Sequence, residues 1–97
     1  MDKKKNLTIE EIFKLAVQNH QEVKLNDAEK LYNQVLKIDP NNSGAMNNLG
    51  VLFKKLKENQ KAKIYFEKAI EINPNYTDAH NNLGVIFLEL KEYQKAK

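Results

Sequence analysis

Apolar residues recur at helical spacing in five successive segments of the chain, each closed by a polar or proline-containing break. Ile12, Leu15 and Ala16 fall three and four positions apart, which predicts a helix from Ile9 to about Asn19 or Gln21 with one apolar face. Thr8 and Glu11 stand at capping-box spacing ahead of it, and Leu7 is placed to staple onto Ile12. The second segment carries Ala28, Leu31, Tyr32, Val35, Leu36 and Ile38; Asn26, with Glu29 three residues on, is the expected N-cap, and Pro40 the stop. Ser43 is the expected cap of a third helix reaching about Leu56, and a fourth is expected from about Gln60 to Ile72, before Asn73-Pro74-Asn75. The fifth runs from Thr77 to about Leu90, after which Tyr93-Gln94-Lys95-Ala96-Lys97 begins a partial sixth. Strict alternation of apolar and polar residues appears nowhere, so the pattern reads as all-α.

The pattern also repeats itself. Asn47-Asn48-Leu49-Gly50-Val51-Leu52-Phe53 returns as Asn81-Asn82-Leu83-Gly84-Val85-Ile86-Phe87, and Ser43 to Lys63 shares 14 of 21 positions with Thr77 to Lys97. Pro40 and Pro74 keep the same separation of 34 residues. A fixed period of this size marks a solenoid, whose units cannot bury their apolar faces alone and must stack on neighbours. It divides the chain into a basic tail and cap over 1–8, units over 9–42 and 43–76, and a truncated unit over 77–97. Gly50 and Gly84 fall in mid-helix, where glycine costs about 1 kcal/mol relative to alanine. Close helix approach is the expected compensation, with Ala62 and Ala69 presenting only methyls and Phe53 and Phe66 filling the remaining volume. The last helix, with little chain after it, is expected to leave some of Leu83, Ile86, Phe87 and Leu90 uncovered. That reads either as the start of a longer array or as a self-association face.

Composition narrows the function. The 97 residues make one small domain, 41% apolar and 30% charged, with no apolar run near the roughly 20 residues of a membrane span. Met1-Asp2-Lys3-Lys4-Lys5 is basic, but Asn6, Thr8, Glu10 and Glu11 stand where an export signal would need an unbroken apolar segment, so none is read. With no cysteine, disulfides and thiolate chemistry are excluded, and a cytoplasmic location is expected. The net charge of +3 comes from lysines interspersed with acids, without one arginine, which argues against nucleic acid as the partner. His20 and His80 lie far apart with no second ligand at metal-binding spacing, so no metal and no cofactor are expected. No phosphate loop or nucleophile elbow occurs, and the domain is read as no enzyme.

These residues together resemble the tetratricopeptide repeat (TPR), a helix-turn-helix unit of 34 residues. Equivalent positions hold Leu15, Leu49 and Leu83; Ala16, Gly50 and Gly84; Asn19, Phe53 and Phe87; Ala28, Ala62 and Ala96; Tyr32 and Phe66; Val35 and Ala69; and the two prolines. Unit one departs most, at Ala16, Asn19 and Val35, and the glycine usual in the hairpin turn is replaced by Val23, Lys57 and Lys91. The resemblance implies a right-handed superhelix of antiparallel helix hairpins and a packing role for the residues just named. It also implies a concave groove lined by the first helix of each unit. Lys14 and Val17 in unit one, Asn47, Asn48, Val51, Lys54 and Lys55 in unit two, and Asn81, Asn82 and Val85 in unit three would face it, with a protein or peptide as partner. Asn48 and Asn82 would be rungs of an amide ladder, similar to that in the TPR superhelices of O-GlcNAc transferases, since an amide both donates to and accepts from a peptide backbone. The expected function is a non-catalytic interaction scaffold. The alternatives are a substrate-positioning region at the N-terminus of a larger, glycosyltransferase-like enzyme, or a self-assembling structural module.

Overall fold

The computed structural model describes residues 7–96 of the chain. The basic tail expected over 1–6 and Lys97 lie outside the described residues, as do the side chains of 92–96, Ala96 among them. Five helices succeed one another, α1 (Ile9–Gln21), α2 (Leu25–Ile38), α3 (Ser43–Lys55), α4 (Asn59–Ile72) and α5 (Thr77–Ala96), with no strand among the described residues. Helix α1 starts where its capping box stands: the Glu11 amide donates to Thr8 Oγ1 at 3.1 Å and the Thr8 amide to Glu11 Oε1 at 2.9 Å. Two other caps differ from expectation. Asn42, not Ser43, caps α3 through a 2.9 Å bond from the Ala45 amide to its Oδ1, which makes Ser43 the first helical residue. Helix α2 begins at Leu25 after Lys24, with no side-chain cap, so Asn26 lies inside the helix.

The turn before α2 explains that early start. Val23 and Lys57 adopt φ of 60° and 65°, the left-handed conformation glycine usually supplies at the end of a helix. At each turn two bonds close the helix end: Lys24 N–H to Asn19 C=O (2.8 Å) with Val23 N–H to His20 C=O (3.1 Å), and Glu58 N–H to Phe53 C=O (2.9 Å) with Lys57 N–H to Lys54 C=O (3.0 Å). These are paired 6→1 and 5→2 bonds, and they fold each hairpin so tightly that the next helix starts two residues later. No such turn forms at Lys91; α5 continues through Ala96, and the partial sixth helix expected there is not a separate element. A left-handed non-glycine residue costs about 1–2 kcal/mol, a strain that Val23 and Lys57 carry and Lys91, inside α5, does not.

Between hairpins the chain turns a corner that recurs almost unchanged. Asp39 sits at φ −131°, ψ 86° and Asn73 at φ −130°, ψ 86°, each held extended by the proline after it. The amides of Asn42 and Tyr76 close the corners onto the carbonyls of Asp39 and Asn73 at 3.1 and 3.0 Å. Helices consequently pack on their chain neighbours, with α3 also meeting α5, in a molecule of 61 × 28 × 17 Å.

One core runs the length of this stack. Tyr32, Phe66, Leu49, Leu52, Val35 and Ile86 are its largest fully buried side chains, and Ala16, Ala28, Ala45, Ala62, Ala69 and Ala79 let the helices close on them. The tightest point is Gly50, where a Cβ would come within 2.8 Å of three ring carbons of Phe66; around Gly84 a Cβ would meet nothing within 4 Å. The same asymmetry separates Phe53, 4% exposed, from Phe87, 48% exposed. Leu49 is fully buried between α2 and α4, whereas Leu15, on a helix with none before it among the described residues, is 38% exposed and is not the buried contact expected of it. Ile86, expected on the uncovered face, is fully buried against the core. Leu83 and Leu90 are partly buried against that core, leaving Gly84, Phe87 and Leu88 bare.

The unequal surroundings of the two mid-helix glycines set opposite outcomes for the same substitution. Gly50→Ala should destabilise the fold by about 1–3 kcal/mol, because the buried Phe66 ring has nowhere to move. Gly84→Ala should instead stabilise it by up to about 1 kcal/mol through helix propensity alone. Equal shifts of the urea midpoint in the two variants would contradict the packing described. Val23→Gly should add about 1 kcal/mol, its relief of left-handed strain outweighing the extra freedom glycine brings to the unfolded chain; a lower midpoint than wild type would refute it.

Candidate partner-binding groove

The first helices of the three units, α1, α3 and α5, share one side of the stack. Their side chains there come from the non-core flank of the same repeat that places Leu49 and Gly50 inward. Val51, Lys54, Lys55 and Lys57 of the α3 end, with Glu89 of α5, enclose a hollow of about 330 Å³. Glu89 bridges its walls: its carboxylate lies 3.8 Å from Lys54 Nζ and accepts from Asn59 Nδ2 at 3.2 Å. At the other end of the same helices Ile9, Glu10 and Phe13 of α1, with Asp39 and Asn42 of the corner, line a second hollow of about 510 Å³. The hollow at the end of α3 is thus rich in lysine, and the one at the start of α1 carries the carboxylates of Glu10 and Asp39.

Two of the asparagines expected to line this face are paired with each other. Asn47 is only 5% exposed, and its Oδ1 accepts from Asn82 Nδ2 at 3.1 Å. Asn48 is half-buried, and the Tyr32 hydroxyl lies 3.1 Å from His20 Nδ1. Asn47 therefore stands in the core rather than in the groove, because an amide buried between α3 and α5 is stable only when its bonds are met inside. Asn48 and Asn82 are half-buried, and Asn82 ties α5 to α3. Of the remaining candidates, Lys14, Lys55, Asn81 and Val85 are exposed, and Val17, Val51 and Lys54 half-buried. Sequence reasoning places Tyr32 in the core but misses that its hydroxyl meets His20; a tyrosine where the next repeat has Phe66 is the available signal.

Tyr32 is the hub of the first junction. Phe13 and His20 both meet its ring edge-to-face with centroids 5.9 Å apart. Burial raises the Tyr32 hydroxyl above its ordinary pKa. His20 is held below its ordinary value of 6.5, first by burial and second by the charge of Lys55. Burial first, and then the charge of Asp78, raise Tyr76.

Among the described residues no group of three His, Cys, Asp or Glu side chains converges as a metal site would require, and no helix is long and apolar enough to cross a membrane. What the fold defines is a solenoid of helix hairpins with a 34-residue period and a side-chain-rich face along its first helices. Tetratricopeptide repeat family models match residues 44–76 and 65–97, more than half of the chain between them, and the chain belongs to that family. Tetratricopeptide repeats are protein-protein interaction modules. Among solved structures it is similar to the crystal structure of MamA, with a TM-score of 0.83 and 20% identity over 87% of this chain. The chain spans about half of MamA, 49% of its length, and the likeness carries the fold. None of the curated proteins compared matches this sequence.

The lowered pKa of His20 has a definite sign. Neutral imidazole is favoured in the folded state, so its contribution is complete above pH 6.5 and is lost as pH falls below that value through the depressed folded pKa. The urea midpoint should therefore decline between about pH 7 and 5. His20→Gln should flatten this part of the profile; an unchanged slope would show that another group carries it.

Proposed function

We propose that this protein is a non-catalytic scaffold whose groove along α1, α3 and α5 binds an extended peptide segment of a protein partner. The observation that carries the reading is the hollow over Val51, walled by Lys54, Lys55, Lys57 and Glu89. An apolar floor with charged walls takes one apolar side chain of a peptide and pairs its neighbouring carboxylate with the lysines. Val17, Val51 and Val85 recur every 34 residues with partial exposure, giving successive apolar steps along the stack. The groove works less through an amide ladder than through these valines, the lysines and Asn81, because Asn47 and Asn82 are already paired with each other. The absence of cysteine supports a reducing compartment such as the cytoplasm for this interaction.

The test is a displayed peptide library selected against the protein, with the hits measured on variants. Lys55→Glu, at an exposed position, and Val51→Asp should each weaken selected peptides about tenfold or more, while circular dichroism stays at wild-type helicity. Binding should also fall with added salt, as expected for partly exposed ion pairs. Hits whose affinity is the same on both variants would place the binding surface elsewhere.

A further inference from the structure

The two hollows of the groove differ in charge. In the one over Val51, Glu89 is already met by Lys54 and Asn59, which leaves Lys55 and Lys57 with no carboxylate within 4 Å among the described residues. The hollow over Phe13 has the opposite sign, and neither of its carboxylates, Glu10 and Asp39, lies within 4 Å of a lysine among the described residues. Asn42 on its rim is committed to the Ala45 amide at the cap of α3, while half-buried Ile9 and Phe13 supply apolar lining. One helix face joins the two hollows. Phe13 stands against the first turn of α3, with two of its ring carbons within 3.6 Å of where a Cβ on Gly44 would be. Gly44, Asn48, Val51 and Lys55 then follow at intervals of four, three and four residues, so they share one side of α3. From Gly44 to Lys55 that side is about 16 Å long, the reach of about five residues of extended chain.

We propose that the groove selects a bipolar peptide, with a lysine or arginine over Phe13 between Glu10 and Asp39 and an aspartate or glutamate about five residues away at Lys55 and Lys57. An apolar residue beside the acidic one fills the hollow over Val51. The aliphatic stem of the basic residue lies on Ile9 and Phe13 while its charge meets the carboxylates, and the aromatic ring adds its own attraction for a cation. A peptide laid the other way round would put like charges together in both hollows, so the charge pattern also fixes the direction of the bound chain. This ligand pattern rests on the groove being the binding surface proposed above.

The experiment selects a displayed peptide library on the full chain and measures the best hit by fluorescence anisotropy. Hits should carry a basic and an acidic residue about five positions apart. Glu10→Lys, at an exposed position, should weaken the hit about fivefold or more with circular dichroism unchanged. The same peptide with its basic residue changed to glutamate should bind Glu10→Lys more tightly than wild type. Weakening by Lys55→Glu, with no effect of Glu10→Lys or of the charge swap, would overturn the bipolar pattern and leave the groove reading standing. Indifference to Lys55→Glu as well would remove the groove reading, and the pattern with it. Lys3→Gln, Lys4→Gln and Lys5→Gln combined should leave the affinity unchanged; tighter binding would assign the hollow over Phe13 to the chain's own lysines and overturn the proposal.

Discussion

The seating of the Phe66 ring on Gly50 is the contact on which the hairpin geometry depends. A ring that would stand within 2.8 Å of any Cβ at position 50 requires a glycine, and the glycine admits α4 to a distance at which Ala62 and Ala69 complete the interface. Losing helix propensity by about 1 kcal/mol at Gly50 is small against the burial of a phenylalanine, worth about 1.5–3 kcal/mol, and of the leucines beside it. The same balance explains why strain is tolerated at Lys57. The left-handed turn costs about 1–2 kcal/mol, yet it delivers α4 onto α3, and the gain from that packing exceeds the cost. At Lys91 the backbone stays helical.

How much of this is legible in the sequence depends on whether a signal lies in one segment or between segments. Helix order, the all-α class, the prolines at the corners and the glycine at the closest approach are set by spacing within the chain, and they are visible there. The caps of α2 and α3 lie one or two residues earlier than residue preferences suggest, for local reasons. Asn42 and Ser43 are both capping residue types in succession, and geometry alone decides that the first accepts the Ala45 amide. At α2 the tight turn sits on Val23, a β-branched residue among the least suited to positive φ, so no sequence signal marks it and the helix begins before its expected start. Exposure of Leu15 comes from its place in the stack rather than from its identity, which matches that of buried Leu49.

The groove is less legible because amide side chains read differently in isolation and in a stack. The resemblance sets Asn47 and Asn48 along the groove, and two further asparagines at the repeat interval complete a row. In three dimensions Asn47 is buried and paired with Asn82 across α3 and α5. Once Asn82 donates to Asn47 at 3.1 Å, a peptide would have to displace a satisfied bond to use either amide, and a net hydrogen bond is worth only about 0.5–1.5 kcal/mol. Exchange of one amide bond for another yields little, so the affinity of a groove ligand must come from burying apolar surface over Val51 and from charge.

Helix α5 stands where these requirements meet. Its inner side contributes Glu89 to the wall of the hollow and Asn82 to the tie with Asn47, while its outer side carries the uncovered Gly84 and Phe87. In a linear stack a helix is held only by its neighbours, and α5 is held by α4 and by its smaller contact with α3. Glu89 reaches Lys54 on α3 and Asn59 on α4, so any shift of α5 moves the one carboxylate that shapes the groove hollow.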